Sequence, residues 1–153
     1  MEIEKKYLVK ELPEDLQDYP HEEIEQGYLC TEPTLRIRRK GERYIFTYKG
    51  RPDENDTDIC IADEVERPLT RQAYEKLREK TEGYLIEKTR YRIPYDKYVI
   101  ELDVFNGTYE GRLLAEVEFP SVAEARAFQP PAWFGEDVSG DVRYTNSYMA
   151  LDY

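Results

Sequence analysis

Strict period-two alternation of apolar and polar residues recurs along most of this chain, and a side-chain period of two belongs to strands. Eight such runs stand out, at about 2–9, 24–30, 34–40, 43–49, 58–67, 84–93, 97–105 and 112–119. Gly41-Glu42 suits a two-residue hairpin, Pro94-Tyr95-Asp96 is expected to break the sixth run, and Asn106-Gly107 opens the loop before the eighth. Helical signals are short. Pro13 to Tyr19 has room for a turn or two, and Thr70 reads as the N-cap of RQAYEKLREKT. Ser121 with Glu124 forms a capping box, and Thr145 is placed to cap a last helix carrying Tyr148, Met149 and Leu151. Eight strands with short antiparallel connections and a few peripheral helices predict a mainly β (α+β) fold: an eight-stranded antiparallel closed barrel, with residues 1–153 as one domain.

Alternation places residues i, i+2 and i+4 on one face, so each run has two sides. Glu2, Glu4 and Lys6 share a side opposite Ile3, Tyr7 and Val9, and Arg36 and Arg38 lie opposite Leu35 and Ile37. Thr47 and Lys49 oppose Tyr44, Phe46 and Tyr48; Glu64 and Glu66 share a side, as do Lys88 and Arg90. Arg92 continues that parity where the strand is expected to leave the lumen. Glu101 and Asp103 oppose Ile100, Leu102 and Val104, and Glu116 and Glu118 oppose Ala115, Val117 and Phe119. Ordinary solvated faces mix their signs, because like charges at i, i+2 repel. Here the signs are sorted strand by strand. Such clusters are costly unless cations neutralise the acids and anions the bases. Turned inward, the charged faces would line a water-filled lumen, with the apolar faces outside under helices or a second copy of the chain; a homodimer is therefore a candidate assembly.

Composition narrows the partners. Asp and Glu number 33 against 22 Lys and Arg, a formal charge of 22 − 33 = −11 with the one His neutral. A surface of that sign suits no nucleic acid and no anionic membrane, so an anionic ligand needs a local basic cluster. No apolar run approaches the roughly 20 residues that cross a bilayer. No apolar signal segment follows Glu2, so the expected location is cytoplasmic. Cys30 and Cys60 are too few and too far apart for a metal knuckle and read as ordinary strand residues. The acidic stretch Gly50 to Asp58 reads as a mobile loop of unassigned role.

Clustered carboxylates without histidine are hard oxygen ligands, suited to Mg²⁺ or Mn²⁺ and poorly to zinc. Alternating Arg and Lys suit phosphate oxygens. A divalent cation, basic side chains and a polyanion together are what phosphoryl or nucleotidyl transfer needs. No GxxxxGK or GxGxxG loop competes, and His21 has no positioned nucleophile and reads as structural.

Glu2-Ile3-Glu4-Lys5-Lys6 is a full ExExK, and it is followed in order by RIR at 36–38, Lys49, ExE at 64–66, KxR at 88–90, ExD at 101–103 and ExE at 116–118. This series resembles the CYTH superfamily, the triphosphate tunnel metalloenzymes, over most of the chain. The segments QGYL, EKTRY, ELDVF, EVEF, PPAWFGEDV and RYTN resemble its short bacterial stand-alone branch. The resemblance implies a single tunnel domain that hydrolyses inorganic tripolyphosphate to pyrophosphate and phosphate with Mg²⁺ or Mn²⁺. It implies Glu2, Glu4, Asp103, Glu116 and Glu118 as ligands of the main metal, and Glu64 and Glu66 for a second cation or the attacking water. Lys6, Arg36, Arg38, Lys49, Lys88, Arg90 and Arg143 match the phosphate binders, and Tyr28 with Lys6 the catalytic pair. Bland readings stand beside these: Tyr28 as barrel wall, Glu101 as an Arg partner, and Trp133 and Phe134 as packing. Rival functions are an enzyme of organic triphosphates (a thiamine triphosphatase or a class IV-type adenylyl cyclase) and a non-catalytic polyphosphate- or nucleotide-binding module.

Overall fold

Where the sorted charges end up depends on how the alternating strands pair. In a computed structural model, which describes residues 1–50 and 59–151, they form β1 (Glu2–Val9), β2 (His21–Thr31), β3 (Thr34–Lys40), β4 (Arg43–Gly50), β5 (Cys60–Pro68), β6 (Glu82–Tyr95), β7 (Tyr98–Asn106) and β8 (Leu113–Glu118). Neighbours run antiparallel in the order β5-β4-β3-β2-β6-β7-β8-β1, and β1 pairs back to β5, Glu2 opposite Ala62 and Glu4 opposite Cys60. The eight strands thus close into the expected barrel, β5 covering the β1 edge only at Glu2, Ile3 and Glu4. The expectation for the acidic stretch falls at 51–58, outside the described residues.

A ninth strand, β9 (Phe134–Asp137), was not expected. It lies along the half of the β1 edge that β5 leaves uncovered, at Tyr7 and Val9. Four residues containing a glycine are too short to show a period. The break expected at Pro94-Tyr95-Asp96 comes only at its last residue. β6 stays paired with β7 through Pro94–Val99 and Tyr95–Tyr98, and the chain turns at Asp96-Lys97, with Asp96 at φ 55°. The reason is local: Arg92 N–H still donates toward the β2 side, to the Pro20 carbonyl, but two residues later no strand remains there to need a donor from Pro94.

Three short helices follow their caps: α1 (Arg71–Arg78), α2 (Val122–Ala127) and α3 (Asn146–Leu151). Thr70 Oγ1 accepts from Ala73 N–H, Ser121 Oγ from Glu124 N–H, and Thr145 Oγ1 from Tyr148 N–H. The Glu124 carboxylate accepts instead from the Tyr98 hydroxyl, so only half of the predicted box is seen. No helix among the described residues is long and apolar enough to cross a membrane.

The apolar strand faces point outward, as alternation requires. Ile100, Leu102, Ala115, Val117, Tyr91 and Tyr7 pack under Ala125 of α2, Leu16 and Phe134, with Trp133 against the same cluster. A second apolar cluster lies inside the barrel. Tyr28, Ile86, Phe105 and Leu114 carry the parity of the charged residues and pack against Val138, Met149 and Ala150. One end of the lumen is thereby filled and covered by α3. Its seat on β6 is made by Gly83, at φ 67°, where any Cβ would collide with the Ala150 carbonyl.

Candidate active site

On β6 and β7 the charged residues already hold one another. Ladder pairing sets Arg90 opposite Asp103. Arg90 Nε donates to Asp103 Oδ1 at 2.7 Å and Nη2 to Oδ2 at 2.9 Å, and Lys88 Nζ stands 2.9 Å from Oδ2. Arg90 also reaches Glu101 at 3.2 Å, the bridge expected of that residue. Burial alone would raise the Asp103 carboxyl, but Arg90 and Lys88 outweigh it and hold the carboxyl below its ordinary range. Lys88 is brought down to about 8 by burial in spite of Asp103.

On β1, β5 and β8 carboxylates outnumber cations. Glu2, Glu4 and Glu64 converge on Lys49 Nζ, at 2.5, 3.8 and 3.7 Å. Glu116 Oε1 lies 3.9 Å from both Lys6 Nζ and Arg90 Nη2. Burial and the Glu116 charge hold the Glu4 carboxyl well above its ordinary range, while Lys6 and Arg90 overcome burial to hold Glu116 far below it. Glu64 is pushed up to about 7 by burial and by the Glu2 charge. Protons and Lys49 are thus what relieves this wall. Among the described residues no three His, Cys, Asp or Glu side chains stand close enough to ligate one ion as they are. The donor set itself, all carboxylate oxygen and over-supplied with negative charge, fits a hard divalent cation.

The wall formed by β2, β3 and β4 has polar atoms with nothing to bind. Gln26 Oε1, Arg36 Nε, Arg38 Nε and Thr47 Oγ1 are buried without a hydrogen-bond partner, and register joins them: Gln26 opposite Arg38, Arg36 opposite Thr47. Arg38 reaches Glu66 at 3.0 Å. Burial, then Arg36 and Arg90, bring its guanidinium down to about 10. A buried donor left unpaired costs about 1–3 kcal/mol, so two such N–H groups favour an incoming anion.

At the filled end the deep lysines are tied to the chain near α3. Lys6 Nζ donates to the Tyr144 carbonyl at 3.1 Å and Lys88 Nζ to Asn146 Oδ1 at 3.0 Å. The Tyr28 hydroxyl accepts from Gln26 Nε2 at 2.8 Å, and no hydrogen bond or ion pair among the described residues joins it to Lys6.

The structure therefore brings together around one lumen all but one of the residues singled out from sequence. Glu118 stands exposed beside Glu2 and Glu101. Arg143 is the exception. It lies on the surface, and Asp141, two residues away, holds it in a bidentate pair at 2.9 and 2.5 Å. Sequence reasoning missed Gln26, Thr47 and Asn146. Parity could have found Gln26, which alternates with Tyr28. His21 is structural as expected, its Nδ1 3.0 Å from the Tyr19 carbonyl and its ring against Tyr91.

No family model matches the chain. An inorganic triphosphatase from Nitrosomonas europaea is 41% identical over 157 residues, covering 98% of this chain and 97% of that protein. An inorganic triphosphatase from Acetivibrio thermocellus is 34% identical, covering 97% and 92%. The crystal structure of an inorganic triphosphatase superposes with a TM-score of 0.72 at 38% identity, covering 100% of this chain and 96% of that one.

Proposed function

The chain belongs to the CYTH family, among its inorganic triphosphatases, and from that premise we propose that it hydrolyses inorganic tripolyphosphate to pyrophosphate and phosphate within the barrel. The observation that carries this reading is the pair of unsatisfied guanidinium N–H groups, Arg36 Nε and Arg38 Nε, facing into a lumen whose other wall carries surplus carboxylates. A polyanion completes the first wall and a divalent cation the second.

Glu4 and Glu116, with Glu2 and Glu118 beside them, would hold Mg²⁺ or Mn²⁺. Asp103 would join only by giving up an oxygen now held by Lys88 or Arg90. When bound, such a cation neutralises phosphate oxygens and makes the phosphorus a better electrophile. Arg36, Arg38, Arg90, Lys88 and Lys6 hold the phosphate chain by charge-assisted hydrogen bonds that fix it for in-line attack. Lys49, relieved of Glu2, Glu4 and Glu64, turns to the substrate. Glu64 titrates near neutrality and is the group suited to take a proton from the attacking water, with Glu66 ordering it. Pyrophosphate leaves on the basic wall, its growing charge met by the same cations. We assign Tyr28 to the closed end, its hydroxyl oriented by Gln26.

Turnover of tripolyphosphate, thiamine triphosphate and ATP, compared with Mg²⁺ and with Mn²⁺, tests the reading. Equal amounts of phosphate and pyrophosphate from the first are expected; conversion of ATP alone, to cyclic AMP and pyrophosphate, overturns it. Tyr28→Phe should lower kcat about a hundredfold, the lower end of the range of a positioned proton donor. An unchanged kcat would remove Tyr28 from the machinery.

A further inference from the structure

The open end of the lumen carries a second set of charges that the proposed reaction leaves unused. Continuing outward past Gln26, Arg38 and Arg90, alternation brings Glu22, Lys40 and Arg92 to the lumen side, and Arg43 stands opposite Lys40. Glu22 is ringed by the three cations. Its Oε1 is 3.9 Å from Lys40 Nζ and 3.4 Å from Arg92 Nη2, and its Oε2 is 3.5 Å from Arg43 Nη2. All three separations are long beside the 2.7 and 2.9 Å of the Arg90–Asp103 pair. One carboxylate answers three positive groups at a distance. Burial above all, then the Arg38 and Arg90 charges, brings Lys40 down to about 8 against the pull of Glu22 and Glu101.

Length decides what could use this rim. The other end is filled by Tyr28, Ile86, Phe105 and Leu114, so a phosphate chain can extend only toward the opening. From Lys88 to Arg92 is four strand residues, about 13 Å at the usual rise. That exceeds the span of three linked phosphoryl groups. A triphosphate seated on the deep lysines does not reach Arg92, and a longer linear chain must pass it.

We propose that Lys40, Arg43 and Arg92 form an outer anion subsite for the fourth and later phosphoryl groups of longer linear polyphosphates, with Glu22 as the counter-ion that such a chain displaces. The proposal rests on the triphosphatase reading and adds to it a rule for chain length. The rival is a rim that steers every anion toward the mouth of a protein of net charge −11.

Initial rates on inorganic tripolyphosphate and tetrapolyphosphate, with Mg²⁺, separate the two. The double variant Arg43→Gln/Arg92→Gln should lose about tenfold in kcat/KM on tetrapolyphosphate, the scale of one charge-assisted contact, and under about twofold on tripolyphosphate. Glu22→Gln should move tetrapolyphosphate the opposite way, raising its kcat/KM several-fold. Lys40→Gln gives the same readout should the double variant melt early. Equal factors on both substrates, or none on either, overturn the outer subsite while leaving the triphosphatase intact. Failure of the wild type to turn over either substrate overturns the reaction and the subsite with it.

Discussion

Two walls of one lumen hold similar side chains in opposite conditions. On β6 and β7, Asp103 has both oxygens committed to Arg90 and Lys88, and Arg90 has Glu101 besides. On β1, β5 and β8, burial and the Glu116 charge push the Glu4 carboxyl up while Glu2 and Glu64 crowd Lys49. Asp103 on the first wall is satisfied without a ligand and serves as framework for Arg90 and Lys88. The second wall is strained by its own charge and is completed from outside. Stability and catalysis should therefore separate by wall.

Asp103→Asn tests the framework most severely, because it leaves two buried cations without their counter-charge. Removing one partner of a buried pair costs about 3–5 kcal/mol, which for a domain of this size lowers the melting temperature by roughly 6–20 °C. An unchanged thermal melt would show that the pair is dispensable and erase the contrast. Glu116→Gln should act chiefly on turnover, lowering kcat on tripolyphosphate by roughly 10²–10³, the scale of a preorganised charge lost from a transition state. Because Lys6 and Arg90 favour its ionised form, its melting temperature without metal should fall, but by less than that of Asp103→Asn, whose oxygens are in direct contact with two cations; an equal fall would place Glu116 in the framework.

Divalent cation sharpens the contrast from the other side. At a hundred times its dissociation constant, Mn²⁺ should stabilise the wild type by about 2.7 kcal/mol, and Glu4→Gln should lose most of that gain in a melt with and without the ion. Equal stabilisation of both proteins would mean that the ion binds elsewhere. The smallest effect concerns pH. Glu64 titrates at about 7 in the fold against an ordinary 4.5, so folding favours its protonated form. That contribution is complete below pH 4.5 and is lost as pH rises through about 7. Glu64→Gln does not titrate, so its advantage in metal-free melting temperature over the wild type should open between pH 5 and pH 8. A constant difference would assign the effect to packing.

The eight barrel strands, the three helix caps and the inward turn of the charges were all legible, because each is written in short-range spacing. Partners across the barrel were not. That Arg90 takes Asp103 follows from the register of the β6–β7 hairpin, whereas Lys49 meets Glu2 and Glu4 only through the stagger at which β5 meets β1, which no single strand encodes. The closed end did leave a signal: Ile86, Phe105 and Leu114 are apolar residues on the charged parity of three successive strands. Alternation was read for its charges, and these fell silent. Arg143, placed by its motif, is held on the surface by Asp141, two places earlier, a pairing that strand parity does not show.

The divided edge of β1 has a consequence for how the molecule is made. Leu8 finds Leu114 and Val9 finds Phe134, so this strand waits for distant partners before its hydrogen bonds are satisfied. Late closure of this kind slows assembly and leaves a naked strand in the nascent chain. The carboxylates that later serve the lumen then act as guards, since Glu2 and Glu4 on an unpaired edge keep two half-made copies from zipping together.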